Sequence, residues 1–371
     1  MKEKRFLFYL GHPAHYHMFR GTICYLRAEN YHVDVLIKSK DILEDLLKKD
    51  NFRYTNILPE GRKNNKFHIF YGLLKRIWRI YRFCLKNKPD ILIGSEPSIP
   101  YVAKLIRKTS IIFVEDDTHI IPYFAKIAYP FATHIISPKT CDLGKWNYKK
   151  VSYDGYQKLP YLHPNHFTPD ESKVSCLRRG NGRYFLIRVS KLSAHHDFGV
   201  GGISEEIILN LITILSEHGK VYISSEDKLG ERLKTFELNF NIADIHHALY
   251  FADMLIGDSQ SMSVEASLLG TPSIRFSDFA GKIGVLEELE HKYRMTFGIP
   301  SDDPDLLYLK VKELLSIPNL KADFLERKEV LLKEKIDSFI FFTWFLENFP
   351  KSQKIMQIEP EYQLRFLDFK F

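Results

Sequence analysis

The chain has 371 residues, 45% of them hydrophobic, and a formal net charge of +7. That length is long for one core and suits two α/β domains. Cys24, Cys84, Cys141 and Cys176 show neither zinc-ligand spacing nor a disulfide framework, and Phe6 to Leu10 and Phe339 to Leu346 fall far below the roughly 20 apolar residues of a membrane span. The expectation is therefore a cytoplasmic protein, soluble or peripheral, without a signal peptide.

In chain order, strand signals fall at Phe6 to Leu10, His32 to Ile37 and Phe52 to Ile57, with helices at about 16 to 29 and Ile42 to Lys49 between them. Further strands follow at Asp90 to Gly94, Ile111 to Val114 and His134 to Ser137. Residues 154 to 170 hold three prolines and no periodicity, and read as an interdomain connection. A second alternation runs Tyr184 to Val189 (strand), Ser204 to Ser216 (helix), Val221 to Ser225 (strand), Asp244 to Phe251 (helix), Met254 to Gly257 (strand), Ser261 to Leu269 (helix) and Ser273 to Phe276 (strand). Pro304 to Phe349 is helical by pattern, and the tail from Pro350 has no clear period. The class is α/β: two doubly wound halves facing a central cleft, with ligands at the carboxyl ends of the strands. The late helices are expected to pack back toward the first half.

Candidate chemistry sits at those strand ends. GHPAHYHMFRG (11 to 21) places His12, His15 and His17 in one strand-to-helix turn, where a general base can stand. Metal binding is not expected, because no Cys or acid accompanies the histidines at ligand spacing. Each single histidine also reads as a cap or a packing residue. Glu96 follows the strand ending at Gly94, and Glu115, Asp116 and Asp117 follow IIFV. Such carboxylates can orient a histidine, act as base or bind sugar hydroxyls; Asp117 reads as a solvated loop acid.

In the second half, Gly199, Gly201 and Gly202 form a glycine-rich stretch before a helix whose first residues, Glu205 and Glu206, would repel an anion. Arg188, Lys191, His195 and His196 are better contacts for a diphosphate or sugar, and His246 and His247 open a helix that can face a base or ribose. The stretch GDSQSMSVEASLLGTPSI (257 to 274) follows an apolar strand and opens a helix. Its backbone N–H groups, with Ser259, Gln260, Ser261 and Ser263, suit a pyrophosphate, and Glu265 suits a ribose diol. An ordinary turn in which Ser261 caps the helix fits the same residues.

From Gly61 to Lys88 there are nine Lys/Arg and no acid, more than the whole net charge. An amphipathic helix from about Phe70 to Lys86 puts Phe70, Leu73, Leu74, Ile77, Trp78, Tyr81, Cys84 and Leu85 on one face and Lys75, Arg76, Arg79, Arg82 and Lys86 on the other. Phe83 falls among the basic residues. A core-facing helix with a solvated basic face explains most of this, and an anionic membrane surface or lipid-phosphate acceptor also fits. No nucleic-acid motif accompanies the patch.

GHPAHYHMF, YDGYQKLPYLHPNHFTPD, HHDFGVGGIS, VYISSE and IHHALYFADMLIGDSQSMSVEASLLGTP together resemble a domain-of-unknown-function family (354) of bacterial and archaeal proteins, over roughly residues 5 to 300. The resemblance implies the GT-B architecture, two Rossmann-like domains about a cleft, related to nucleotide-sugar glycosyltransferases and UDP-N-acetylglucosamine 2-epimerases. DSQSMSVE is similar to the epimerases' Asp-Ser-Gly-Gly-x-Gln-Glu-Glu, which implies phosphate binding at Ser259 and ribose binding at Glu265, with Gln260 and Ser261 in place of the glycines. FVEDD is similar to their His-Val-Glu-Ala-Gly, making Glu115 the counterpart of a catalytic acid, with Phe113 where the His would be. Glu96 stands near another of their catalytic acids. The first turn looks more like that of the lipid-intermediate glycosyltransferase of peptidoglycan synthesis, with His15 on its histidine.

These readings converge on a GT-B glycosyltransferase. Residues 1–160 would take the acceptor, 161–340 a nucleotide diphosphate sugar, UDP-linked, and 341–371 form a helix and tail. His15, oriented by Glu115 or Asp116, would deprotonate a hydroxyl on a glycan or lipid-linked acceptor in surface polysaccharide synthesis, with inversion and without metal or cofactor. Arg76, Arg79, Arg82 and Phe83 would serve the acceptor or the inner face of the membrane. A nucleotide-sugar epimerase or hydrolase using Glu96, Glu115 and His195 or His196 is the alternative, and a non-catalytic binding module a third.

Overall fold

Phe6 to Leu10 are five buried residues in succession, and they make the strand on which the first of two units is built. The computed structural model describes residues 3–40, 42–59, 66–178, 182–190, 203–226 and 228–367. One unit comprises 1–161 with 335–371, the other 162–334.

The first unit runs β1 (Arg5–Leu10), α1 (Pro13–Ala28), β2 (His32–Lys38), α2 (Leu43–Lys49), β3 (Thr55–Leu58), α3 (Lys66–Asn87) and β4 (Ile91–Gly94). It continues through α4 (Ser98–Leu105), β5 (Thr109–Phe113), α5 (Pro122–Ala128), β6 (His134–Pro138), β7 (Lys150–Tyr153) and α6 (Leu159–Leu162), at which the chain passes to the second unit. All seven strands are parallel, in the order β3-β2-β1-β4-β5-β6-β7. A parallel sheet covered on both faces needs continuous apolar runs, and ILIG and SIIF supply them. Each fully buried Leu, Ile or Phe contributes roughly 1.5–3 kcal/mol.

α1 begins three residues before the sequence reading. His12 caps it by accepting from Ala14 N at 3.2 Å, and Pro13 takes the first turn, where its missing N–H costs nothing. α3 also departs from expectation, because the helix is turned about its axis. Ile80 and Cys84 are buried and Ile77, Tyr81 and Phe83 flank the core, but Arg76 points inward and Leu74, Trp78 and Leu85 face water. The reason is polar: Arg76 pairs with Glu96, and Arg79 donates to the Ile57 carbonyl. Both basic residues are spent on the protein rather than on solvent.

The second unit runs β8 (Tyr184–Val189), α7 (Glu205–Ser216), β9 (Lys220–Ser225), α8 (Ile245–Phe251), β10 (Met254–Gly257), α9 (Gln260–Leu269) and β11 (Ser273–Phe276). α10 (Gly284–Glu287), β12 (Thr296–Ile299), α11 (Pro304–Leu315) and α12 (Leu320–Glu334) complete it. Its five parallel strands lie in the order β12-β11-β10-β8-β9.

The chain then returns to the first unit as α13 (Ser338–Glu347) and α14 (Lys351–Ile358). α13 reads SFIFFTWFLE and is apolar almost all round, the pattern of a buried helix. Thr343 Oγ1 meets Thr22 Oγ1 of α1 at 3.0 Å, and Phe342 packs edge-on against Phe113 of β5. The segment after Pro350, read as a tail without period, is held by the Tyr362 ring stacked 5.0 Å from Trp344 and by Asp337 N donating to the Phe366 carbonyl. Among the described residues no helix is long and apolar enough to cross a membrane.

Candidate functional site

In the first unit the chain leaves β1 for β2 on one side and later lays β4 on the other, so the sheet reverses direction between β1 and β4. The carboxyl ends of strands at such a reversal are where open α/β sheets bind ligands. Four elements send polar side chains to it. Glu96 follows β4; its Oε1 accepts from Lys38 Nζ, at the end of β2, at 2.7 Å, and its Oε2 from Arg76 of α3. Burial opposes the charged form, but Arg76 and then Lys38 outweigh it and hold the carboxyl below its ordinary range.

His15 stands beside this carboxylate on the first turn of α1. Burial pushes its imidazole down to about 3, with the Glu96 charge only partly opposing, so the ring is neutral at neutral pH. Its Nδ1 accepts from Gly11 N at 3.2 Å. A neutral ring whose Nδ1 lone pair is engaged carries its proton on Nε2, and His15 therefore presents a donor where the sequence reading expected a base. The carboxylate whose charge most opposes this shift is Glu96. The other two histidines of the turn are occupied differently. His12 caps α1, and His17 lies against the Tyr161 ring.

At the end of β5, Glu115 is locked: Gln157 N donates to Oε1 at 2.6 Å and Lys158 Nζ to Oε2 at 2.5 Å. Asp117 is not the solvated acid expected of it. It is buried, and its Oδ1 accepts from Asp142 N at 2.6 Å, so it closes a loop. Asp116 is half-buried between these acids, and desolvation raises its pKa while Lys158 opposes and Glu115 and Asp117 reinforce. Lys158 is thus a charge neighbour of both His15 and Asp116. Ser95 Oγ and Gln157 Nε2, next in sequence to Glu96 and Lys158, are buried without a hydrogen-bond partner among the described residues.

In the second unit the corresponding reversal lies between β8 and β10. β10 ends at Gly257, whose α-carbon lies so close to β8 that a β-carbon there would stand 2.3 Å from the Arg188 carbonyl oxygen. Asp258 Oδ1 then accepts from Ser190 N at 2.7 Å and ties the two strand ends together. Ser259, not Ser261, caps α9, its Oγ accepting from Met262 N. That leaves the Ser259 hydroxyl proton and the first-turn N–H groups of Gln260 and Ser261 directed off the helix end, where no intrahelical acceptor exists. Ser261 is exposed. Ser263, read as a further donor, is instead buried and donates to the Ser259 carbonyl.

Glu265 is buried one turn further on, with Oε1 3.6 Å from His246 Nε2 of α8. The structure thus brings two of the candidate residues together. Arg188 is held by Ser224 Oγ at 2.9 Å and by Glu226, while among the described residues its Nε has no partner and Gln260 Oε1 has none either. Buried polar atoms without partners cost free energy unless a ligand or water meets them. His247 turns the other way and accepts from Asp170 N at 3.0 Å. Lys191, His195, His196 and the glycines at 199, 201 and 202 lie outside the described residues.

Sequence reasoning missed Gly11, Lys38, Lys158 and Asp258. Gly11 and Asp258 each end a strand and could have been taken from position alone, whereas Lys38 and Lys158 reach the site from elements whose placement only the fold reveals.

Residues 8–160 match the family model described as Protein of unknown function (DUF354). This is the family that the sequence motifs resemble. No curated protein sequence matches the chain. Similar solved structures include the S. aureus MnaA–UDP complex, at 12% identity over 99% of both chains and a TM-score of 0.66. A second is the UDP-GlcNAc 2-epimerase from Neisseria meningitidis bound to UDP-GlcNAc, at 12% identity over 93% of this chain and 100% of that one, TM-score 0.66. A third is a glycosyltransferase from Rickettsia africae ESF-5, at 14% identity over 96% and 99% of the two chains, TM-score 0.54. At such identities the likeness is one of fold, and the fold is GT-B: two Rossmann-like units built on parallel sheets.

Proposed function

We propose that the chain is a glycosyltransferase that moves a sugar from a nucleotide diphosphate sugar, UDP-linked, to a hydroxyl of a glycan or lipid-linked acceptor in surface polysaccharide synthesis. The observation that carries the donor half is the β10–α9 turn, where Arg188 Nε and Gln260 Oε1 are buried without a hydrogen-bond partner among the described residues. The diphosphate is received there by the N–H groups of Gln260 and Ser261 and the Ser259 hydroxyl, and Glu265, braced by His246, takes the ribose diol. Those fixed donors face the charge that grows on the leaving diphosphate, so a reaction independent of metal and cofactor belongs to the proposal.

The first unit serves the acceptor. His15 donates from Nε2 to an acceptor oxygen, and Asp116, with its raised pKa, takes the hydroxyl proton as that oxygen bonds to the anomeric carbon. The bond from that carbon to the diphosphate breaks, its electron pair leaves with the diphosphate, and the configuration inverts. Peripheral contact with the inner face of the membrane belongs to this reading.

The runner-up is a nucleotide-sugar 2-epimerase or hydrolase, favoured by the TM-score of 0.66 to the epimerase structure from Neisseria meningitidis. It asks Glu96 and Glu115 to carry protons, and both are held by cations instead. Incubating the protein with UDP-sugars alone separates the two. Epimer or free sugar without acceptor supports the runner-up and contradicts transfer; product that forms only when a glycan or lipid-linked acceptor is supplied supports transfer.

A further inference from the structure

The water-facing line of α3 is apolar where an amphipathic helix should be polar. Tyr71 is 66% exposed, Leu74 48%, Trp78 54% and Leu85 54%. With exposed Arg82 between them they recur every three or four residues, which is one continuous stripe of a helix. Scattered exposed apolar residues need no explanation, but a continuous stripe marks a surface that is covered in use. The stripe does not stand alone. α4 packs on α3 and α5 on α4, and they expose Leu105, Tyr123 and Ile127 in turn.

Charge identifies what covers it. Arg82, Lys86, Lys104 and Lys126 are exposed on the same three helices, Arg107 is exposed in the turn that follows α4, and no acid occurs between residues 61 and 88. The Arg82 guanidinium lies over the Trp78 ring, 4.9 Å from its centroid, so the aromatic and the cation are presented as one unit. A protein interface core is depleted of charge. Aromatic and aliphatic side chains interleaved with lysine and arginine, on a helix too polar to cross a bilayer, suit the boundary of acyl chains and anionic headgroups.

We propose that the outer face of α3, extended by α4 and α5, docks on an anionic phospholipid bilayer. The same helix turns Arg76 inward onto Glu96, so the docking element also carries a residue of the first unit's polar group. The inference deepens the proposed function and rests on it in one respect: seated by this face, the enzyme takes its acceptor hydroxyl from a lipid-linked molecule of that membrane.

Cosedimentation of the full chain with phosphatidylglycerol/phosphatidylcholine vesicles and with pure phosphatidylcholine vesicles tests it. The wild type is expected to sediment with the first only, and binding should fall by at least about tenfold in Leu74→Ser/Trp78→Ser and in Arg82→Glu/Lys86→Glu. A blue shift of tryptophan fluorescence on adding anionic vesicles, present in the wild type and lost in Trp78→Phe, reads the same contact in a protein whose fold is hardly disturbed. Wild type that stays in the supernatant, or variants that sediment as well as it does, overturn the proposal. So does a dimer that the Leu74/Trp78 variant dissolves without any lipid binding. UDP-sugar binding is measured on the same samples; docking without it supports the membrane face and counts against the transferase reading alone.

Discussion

A β-carbon on Gly11 would stand 2.6 Å from Oε1 of Glu96. The first turn of the chain is therefore shaped around a carboxylate that arrives from a strand some 85 residues later, and that carboxylate is fixed in turn by Lys38 and Arg76. Glycine at this position is a steric requirement of the polar group.

Gly11→Ala should displace the Glu96 carboxyl from its two cations. The expected cost is about 1–3 kcal/mol of stability, read by denaturant unfolding, because the Glu96 side chain is tethered and cannot swing aside freely. An unchanged unfolding midpoint would show that the contact is slack.

His15 links the same group to pH. Its folded pKa of about 3 lies below the ordinary imidazole value of about 6.5, so between these limits the unfolded chain binds a proton that the folded one refuses. Above about pH 6.5 the residue contributes nothing; as pH falls through the window it destabilises the fold by up to about 1.4 kcal/mol per pH unit, and below about pH 3 the loss is constant. His15→Gln should flatten this slope in a series of urea melts. Equal slopes for the two proteins would contradict the desolvated, neutral ring. In activity, Gln keeps a donor and should retain more than His15→Ala.

Asp116 carries the proton-accepting role in the proposed reaction. Because desolvation raises its pKa, the acid limb of the pH–rate profile should lie above the ordinary carboxylate range. Asp116→Asn should abolish that limb and slow transfer by about 10²–10⁴-fold. A profile that keeps its acid limb in the variant assigns the proton to another group.

Gly257→Ala tests the close approach of β8 and β10. The clash is with a backbone oxygen in a register-paired position, so no side-chain rotation relieves it. The loss should reach the upper end of about 1–3 kcal/mol or exceed it. A thermal melt indistinguishable from wild type would mean that the strands part easily.

The strands at Tyr184–Val189, Met254–Gly257 and Ser273–Phe276 were legible to the residue, because a strand buried on both faces is a continuous apolar run closed by polar residues. KVSY and TFGI, the strands β7 and β12, escaped notice because each is four residues long and only partly apolar. The rotation of α3 was illegible for a different reason. A helical wheel assigns apolar side chains inward by default, and here the Arg76–Glu96 ion pair and the Arg79 hydrogen bond to the Ile57 carbonyl go with a different face turning in. Ser259 and Glu265 could be picked from spacing, yet the fate of Ser263, spent on its own helix, depends on where the helix starts.

Calorimetric titration of UDP-sugars into wild type and Glu265→Ala tests the central claim most directly, that the β10–α9 turn of the second unit holds the nucleotide. Losing the charge-assisted hydrogen bonds of one buried carboxylate should weaken binding by about 1.5–3 kcal/mol, roughly ten- to more than a hundredfold, while the melting temperature stays close to wild type. Wild-type affinity in the Glu265→Ala variant would contradict the account.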